Sequence, residues 1–94
     1  MALIVQKYGG TSVGTPERMR SVARRVANFR AQGHRVVVVV SAMSGETNRL
    51  IALARAVAPS PRTRELDVVV STGEQVSIGL LCMALDDLGV PARS

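Results

Sequence analysis

The segment RVVVVVS, residues 35–41, constrains the fold of this chain more than any other feature. A run of five valines is typical of a strand that is covered on both faces, as strands in parallel sheets are. Residues 2–8 (ALIVQKY) form a second apolar run, and residues 15–33 between the two runs have the pattern of a helix. The order strand, helix, strand predicts a βαβ unit with a right-handed crossover.

The helix between these strands has recognisable start and stop signals. Thr15 is the expected N-cap, Pro16 the first helical residue and Gly33 the residue that ends the helix. Apolar residues recur at helical spacing and should face the core: Met19, Val22, Ala23, Val26 and Phe29. Arginines fall off that face and are expected to form a solvated stripe: Arg18, Arg20, Arg24 and Arg25.

The second half of the chain predicts further helices, with one ambiguous stretch. Residues 46–57 are expected to be helical, and residues 74–88 should form a buried helix that stops at Gly89. The three valines of residues 68–70 favour a strand by propensity. The last residues, VPARS, have the character of the start of another strand.

Composition limits the classes of protein to which this chain can belong. The chain has 94 residues, of which 47% are hydrophobic, so it can form at most one small domain with a core. It carries one cysteine, Cys82, expected as a reduced core thiol, and no secretory signal pattern. No apolar run approaches the roughly 18 residues of a membrane span. These features indicate a cytoplasmic protein without a membrane partner.

The net charge of +5 comes from 12 basic and 7 acidic residues. Nucleic-acid binding needs clustered basic residues with stacking aromatics, whereas these arginines are scattered and the only aromatics are Tyr8 and Phe29. Charge alone therefore does not favour a nucleic-acid partner. A small basic module that binds anions or nucleic acid without catalysis stays open as the alternative.

Two polar loops, residues 9–14 and 41–47, each follow a predicted strand. Carboxyl ends of parallel strands share one edge of a sheet, which is where such sheets bind ligands. Gly9 and Gly10 would let backbone N–H groups approach an anion, and Lys7 adds a positive charge beside them. This combination predicts a phosphate site, although a tight glycine turn with an ordinary lysine explains the same residues.

Known phosphate motifs do not match these loops, because in the P-loop the lysine follows the glycines and here it precedes them. Ser41, Ser44 and Thr47 could equally cap the helix that follows them. Glu74 could simply interact with a helix dipole at a helix start. His34, beside a glycine, is expected at the surface.

Three segments together resemble the start of the aspartokinases, members of the amino-acid kinase family. They are KYGGTSVG (7–14), VVVVVSAMSGETNRL (36–50) and RELDVVVSTGEQVSIGLL (64–81). The resemblance implies a three-layer αβα sandwich with a mainly parallel central sheet, incomplete in this chain. It also implies that residues 64–72 are helical and that two helices meet near Gly73. Residues 1–94 would then be the N-terminal portion of the catalytic domain, without regulatory domains.

The same resemblance implies an activity and a set of site residues. The reaction would transfer the γ-phosphoryl group of ATP to the side-chain carboxylate of L-aspartate, the first step of lysine, threonine and methionine synthesis. Thr47 and Glu74 would bind aspartate, Glu74 through the substrate ammonium group. A catalytic Lys7 would contact the phosphoryl group, and the ATP and phosphate side would comprise Lys7, Tyr8, Gly9, Gly10 and Ser41.

The resemblance also bears on cofactors and partners. ATP would be the co-substrate, and a Mg²⁺ ion is expected whose site is not located in this chain. The family's adenine and ribose pocket would lie in sequence beyond residue 94. The complete enzyme is expected to be a homo-oligomer or to have a complementing subunit, and the isolated 94 residues are expected to be inactive.

Overall fold

The computed structural model describes all of residues 1–94 and contains two strands and three helices. In chain order they are β1 (Leu3–Tyr8), α1 (Pro16–Ala31), β2 (Arg35–Val40), α2 (Glu46–Val57) and α3 (Thr63–Asp87). The two strands pair in parallel, with Leu3 opposite Arg35 and Tyr8 opposite Val40. The predicted strand, helix, strand order and the parallel sheet are therefore confirmed.

Helix α1 forms as its sequence predicts. The Thr15 hydroxyl accepts a hydrogen bond from the Arg18 N–H at 3.2 Å, and Pro16 occupies the first turn. The residues it buries are Met19, Val22, Ala23 and Val26. Phe29, also predicted for the core, is only half-buried, and its ring lies near His34 with 6.2 Å between the ring centroids. The arginines on the other positions are exposed, as expected of a solvated stripe.

The core lies between α1, α3 and one face of the sheet. Its eight buried members are Val13, Met19, Val22, Ala23, Val26, Val40, Leu81 and Leu85. Tyr8, Val36 and Val38 pack against this cluster from the sheet. The alternate residues point to the other face, where Val5 is 65% exposed and Val37 is 49% exposed. Within this chain the five-valine strand is therefore covered on one face only.

Helix α3 corrects two predictions. Residues 68–70 are helical, so the strand favoured by their propensity is wrong, and the helix that the resemblance implies for residues 64–72 is confirmed. A single 25-residue helix replaces the two helices expected to meet near Gly73. Strand propensity is a weak preference that packing overrides, and here α3 packs along α2. At Gly73 the missing side chain gives α2 room, because an added Cβ would lie 3.3 Å from Leu50 Cδ1.

The chain after α3 forms no strand, contrary to the expectation for VPARS. The turn at Gly89, with φ +74°, ends the helix, and the Val90 N–H donates to the Leu85 carbonyl. Val90 and Pro91 then line a cavity of about 420 Å³ together with Val36 and Val38 of β2. The segment thus lies beside β2 without ladder hydrogen bonds to it.

By length and composition alone, α3 could cross a membrane, since an 18-residue window has a mean hydropathy of 1.6. The expectation that no segment approaches a span is wrong on this point. Core helices of globular domains pass the same test, and α3 buries Gly73, Ser77, Leu81 and Leu85 against its neighbours. The hydropathy of α3 is therefore weak grounds for a membrane location.

Candidate functional site

Two loops meet at the carboxyl ends of the strands. The first loop (residues 9–14) follows β1 and the second loop (residues 41–45) follows β2. The Ser41 N–H donates to the Tyr8 carbonyl at 3.1 Å, and the Ser44 N–H donates to the Gly10 carbonyl at 3.1 Å. The prediction that both polar loops share one sheet edge is confirmed.

Gly10 has a packing role that the sequence did not reveal. A Cβ added there would lie 2.8 Å from the Ala42 carbonyl oxygen, closer than real Cβ atoms approach. Gly14, at the end of the same loop, is also tightly packed, with a Cβ position 3.2 Å from the Gly10 carbonyl oxygen. At Gly9, by contrast, nothing lies within 4 Å of the Cβ position. The two adjacent glycines therefore differ: Gly10 lets the loops touch, and Gly9 borders open space.

Several backbone N–H groups at this edge have no acceptor within the chain. Those of Gly9, Gly10 and Thr11 donate to no backbone or side-chain group, and neither do those of Thr47 and Asn48 in the first turn of α2. The α2 N-terminus has no side-chain cap and begins after Gly45, whose φ is +82°. Unpaired amides at a helix start and in a glycine turn are the donors that oxyanions bind.

Lys7 lies near the end of β1, opposite Val39, and is exposed. Successive strand side chains point to opposite faces, and because Tyr8 faces the core, the Lys7 side chain lies on the open face of the sheet. Its ammonium group forms no hydrogen bond or ion pair. Its positive charge therefore has no carboxylate partner within the chain. Ser41, half-buried, follows β2 at the same edge.

Tyr8 differs from the other predicted phosphate-side residues. Its ring packs against the core cluster on the α1 face, and its hydroxyl donates to Gln6 Oε1 at 2.8 Å. Its side chain is therefore on the opposite face of the sheet from Lys7. The Tyr8 backbone carbonyl, which accepts from Ser41, is the part of this residue that joins the two loops.

The two residues predicted to bind an amino-acid substrate lie on different helices. Thr47 is half-buried in the first turn of α2, and Glu74 is exposed on α3 without a hydrogen-bond or ion-pair partner. The preceding Gly73 packs on Ala42 of the second loop, with 3.1 Å between its Cβ position and the Ala42 Cβ. This contact holds the turn of α3 that carries Glu74 against the second loop and α2.

An ion pair at the start of α2 was missed from the sequence. The Arg49 guanidinium donates to both carboxylate oxygens of Glu46, and this hydrogen bonding lowers the pKa of Glu46 below its ordinary value. The same bonds raise the pKa of Arg49. The signal was present as opposite charges three residues apart on one helix. The pair offsets the negative charge of Glu46 beside the unpaired amides of α2.

The donor set at this edge suits an anion rather than a metal ion. No group of three or more His, Cys, Asp and Glu side chains is arranged to hold a metal. What the edge offers is a lysine, unpaired backbone amides and hydroxyl groups. Such a set can position phosphate oxygens and offset their negative charge.

Comparison with known proteins gives the family. The model of the amino acid kinase family matches residues 2–94. This chain belongs to the amino acid kinase family. A crystal structure of aspartate kinase from Synechocystis matches 97% of the chain with a TM-score of 0.94 and 53% sequence identity, and the match covers 16% of that chain. The fold described above is thus an amino-acid kinase fold of which this chain forms a part.

Similar proteins carry aspartate kinase names. The aspartokinase of Pseudomonas aeruginosa is 68% identical over 94 residues, and the aspartate kinase Ask_LysC of Stutzerimonas stutzeri is 67% identical over 94 residues. An aspartokinase of Thermus thermophilus is 59% identical over 93 residues. The matches cover 99–100% of this chain but 23% of each of these relatives. The chain therefore spans about a quarter of the length of the relatives it matches.

Proposed function

We propose that this chain forms part of a cytoplasmic aspartate kinase, which transfers the γ-phosphoryl group of ATP to the side-chain carboxylate of L-aspartate. The product would be 4-phospho-L-aspartate, at the first step of lysine, threonine and methionine biosynthesis. The observation that carries the proposal is the meeting of the two loops, with unpaired amides at Gly9 and Gly10 beside Lys7. The high identity to aspartokinases supports the choice of aspartate as the acceptor.

The first loop and the adjoining Lys7 would bind the phosphate groups. Phosphoryl transfer depends on positioning and on offsetting negative charge more than on covalent chemistry by the protein. Lys7 would contact the transferring phosphoryl group, while the amides of Gly9 and Gly10 bind phosphate oxygens. Ser41 would lie on the nucleotide side, and Tyr8 would contribute through its backbone.

Residues of α2 and α3 would bind the acceptor, L-aspartate. Thr47 would hold aspartate through its hydroxyl, and the Glu74 carboxylate would bind the substrate ammonium group. The acceptor carboxylate of aspartate is already ionised at neutral pH, so the step needs no general base. The first loop, residues 9–14, contains no histidine and no carboxylate.

ATP is the proposed co-substrate, and Mg²⁺ bound to its phosphates would supply further positive charge. No group of three or more His, Cys, Asp and Glu side chains in this chain is arranged to hold a metal, so none of its residues is proposed as a Mg²⁺ ligand. A homo-oligomer or a complementing subunit is proposed for the whole enzyme.

A chimeric enzyme tests the proposal directly. The matching segment of the Pseudomonas aeruginosa aspartokinase, 68% identical to this chain, would be replaced by residues 1–94. We expect aspartate-dependent aspartyl hydroxamate formation from ATP in the chimera. Lys7→Ala should lower kcat much more than it raises the aspartate KM, because its charge matters most in the transition state.

Two outcomes would contradict the proposal. A folded chimera without turnover would exclude these residues as a functional part of the enzyme. Near-normal kcat in the Lys7→Ala chimera would remove the phosphoryl-contact role of Lys7. Tight, steeply salt-dependent binding of arbitrary DNA by the chain would instead favour the alternative of a basic binding module.

A further inference from the structure

A small basic cavity lies on the α1 face of the sheet, away from Lys7. We propose that it is a second anion site, which binds a single phosphate-type oxyanion. The cavity has a volume of about 250 Å³. We call it the arginine pocket, and its lining residues are Tyr8, Ser12, Arg18, Ser21, Val22 and Arg25.

The lining is positively charged and has no acidic member. Arg18 and Arg25 lie on the same side of α1, two turns apart, with Ser21 between them. The nearest acid along the helix, Glu17, is directed to Arg20 at 3.6 Å. Arg25 forms no hydrogen bond or ion pair within the chain. Two guanidinium groups without carboxylate partners favour an oxyanion, which guanidinium groups bind through paired N–H donors.

Fixed contacts hold part of this lining in place. Arg18 Nη1 donates to the Thr11 carbonyl at 3.2 Å, which holds the guanidinium beside the first loop. The Ser21 hydroxyl donates to the Glu17 carbonyl and accepts from Arg24 Nη2 at 3.0 Å, which fixes its position in the lining. Ser12 adds a hydroxyl that has no partner among the side-chain hydrogen bonds.

The pocket is open to solvent on one side, and its volume of about 250 Å³ has room for a phosphate group. The guanidinium groups would hold the phosphate itself, so the ligand is inorganic phosphate or the terminal phosphate of a larger molecule whose remainder stays in solvent.

The arginine pocket is separate from the proposed phosphoryl-transfer site. Lys7 and Tyr8 are successive strand residues, so their side chains lie on opposite faces of the sheet. The first loop nevertheless borders both places, through the amides of Gly9 and Gly10 on one side and the Thr11 carbonyl on the other. The inference goes beyond the proposed kinase function and does not depend on it.

Arginine footprinting tests the site on the full chain. The chain would be treated with phenylglyoxal with and without inorganic phosphate, and modification at each arginine quantified by mass spectrometry. We expect phosphate to slow modification of Arg18 and Arg25 several-fold and to leave Arg55, which lies on α2 without a partner, unchanged. Equal protection of Arg55 would show a general ionic effect and overturn the site.

Equilibrium dialysis with labelled phosphate compares the phosphate affinities of matched variants. Arg25→Gln should weaken phosphate binding about tenfold, the order expected from loss of a charge-assisted hydrogen bond, while Arg55→Gln should not. Tripolyphosphate in place of phosphate distinguishes the sources, since tighter binding would indicate the terminal group of a larger molecule. Similar affinities of Arg25→Gln and Arg55→Gln would contradict the proposal. Loss of binding in Lys7→Ala alone would assign the phosphate to the kinase site instead.

Discussion

Glu74 is the residue whose proposed role depends most on one charge. It is exposed and unpaired in this chain, so its carboxylate is free to bind a substrate ammonium group. In the chimera, Glu74→Gln should raise the aspartate KM by about 10-fold to 100-fold, since a hydrogen bond to a charged group is worth about 1.5–3 kcal/mol. Steady-state kinetics with aspartate and ATP varied separately measures this. A change in the ATP KM alone would move Glu74 to the nucleotide side.

Glu46 should titrate below other glutamates because Arg49 stabilises its charged form. Its pKa is lowered in the folded chain, so the pair stabilises α2 above the ordinary pKa of a glutamate. That contribution is lost as the pH falls through the lowered pKa. In an NMR titration of side-chain carboxyl carbons, Arg49→Gln should return the pKa of Glu46 towards its ordinary value, and Arg55→Gln should not. An unchanged low pKa in Arg49→Gln would assign the shift to the helix dipole.

At the scale of the elements, local signals sufficed where they agreed with one another. The N-cap at Thr15, the proline at position 16 and the apolar spacing of α1 all indicate one helix, and α1 forms there. For α3, the three valines of residues 68–70 suggested a strand, whereas the resemblance correctly implied a helix there but also a break near Gly73 that is absent. Packing on α2 decides both positions, and this contact depends on residues distant in sequence.

In the two loops, too, one feature followed from the sequence and another did not. Their common edge followed from parallel topology, as did the exposure of an amide-rich turn beside Lys7. The requirement for glycine at position 10 did not, because it arises from the carbonyl of Ala42 in the other loop. A pattern along the chain cannot report a distance between two loops until the register of the strands is known.

This difference between adjacent glycines predicts a contrast between two variants. Gly10→Ala should push the second loop away, because its Cβ would lie 2.8 Å from the Ala42 carbonyl oxygen, whereas Gly9→Ala meets nothing within 4 Å. In hydrogen-exchange mass spectrometry of the chain, the segment containing the Ser44 amide should exchange faster in Gly10→Ala than in the parent. Gly9→Ala serves as the control and should match the parent. Equal exchange in both variants would contradict the packing role of Gly10.

The whole molecule is less compact than its length predicts. Its radius of gyration is 15.3 Å, compared with about 12 Å expected for a compact domain of this size. Only 12 of the 94 residues are buried, and the open sheet face exposes Leu3, Val5, Val37 and Val39 by 47–65%. The five-valine run correctly predicted a strand, but the cover on both faces that it indicated is not present within this chain. Its sequence could not show that this chain supplies cover for only one of them.

The open face predicts how the 94-residue chain behaves by itself. Exposed apolar sheet surface next to unpaired strand edges favours association between chains, so the chain should elute from gel filtration as oligomers and show no aspartate-dependent ATP turnover. Val5→Thr combined with Val37→Thr should shift the elution towards the monomer, since both changes reduce the apolar area of that face. Val57→Thr, at an 82% exposed position at the end of α2, is the matched control and should not. A monodisperse parent chain with a cooperative thermal transition would contradict this prediction, and turnover by that monomer would show that 94 residues suffice for catalysis.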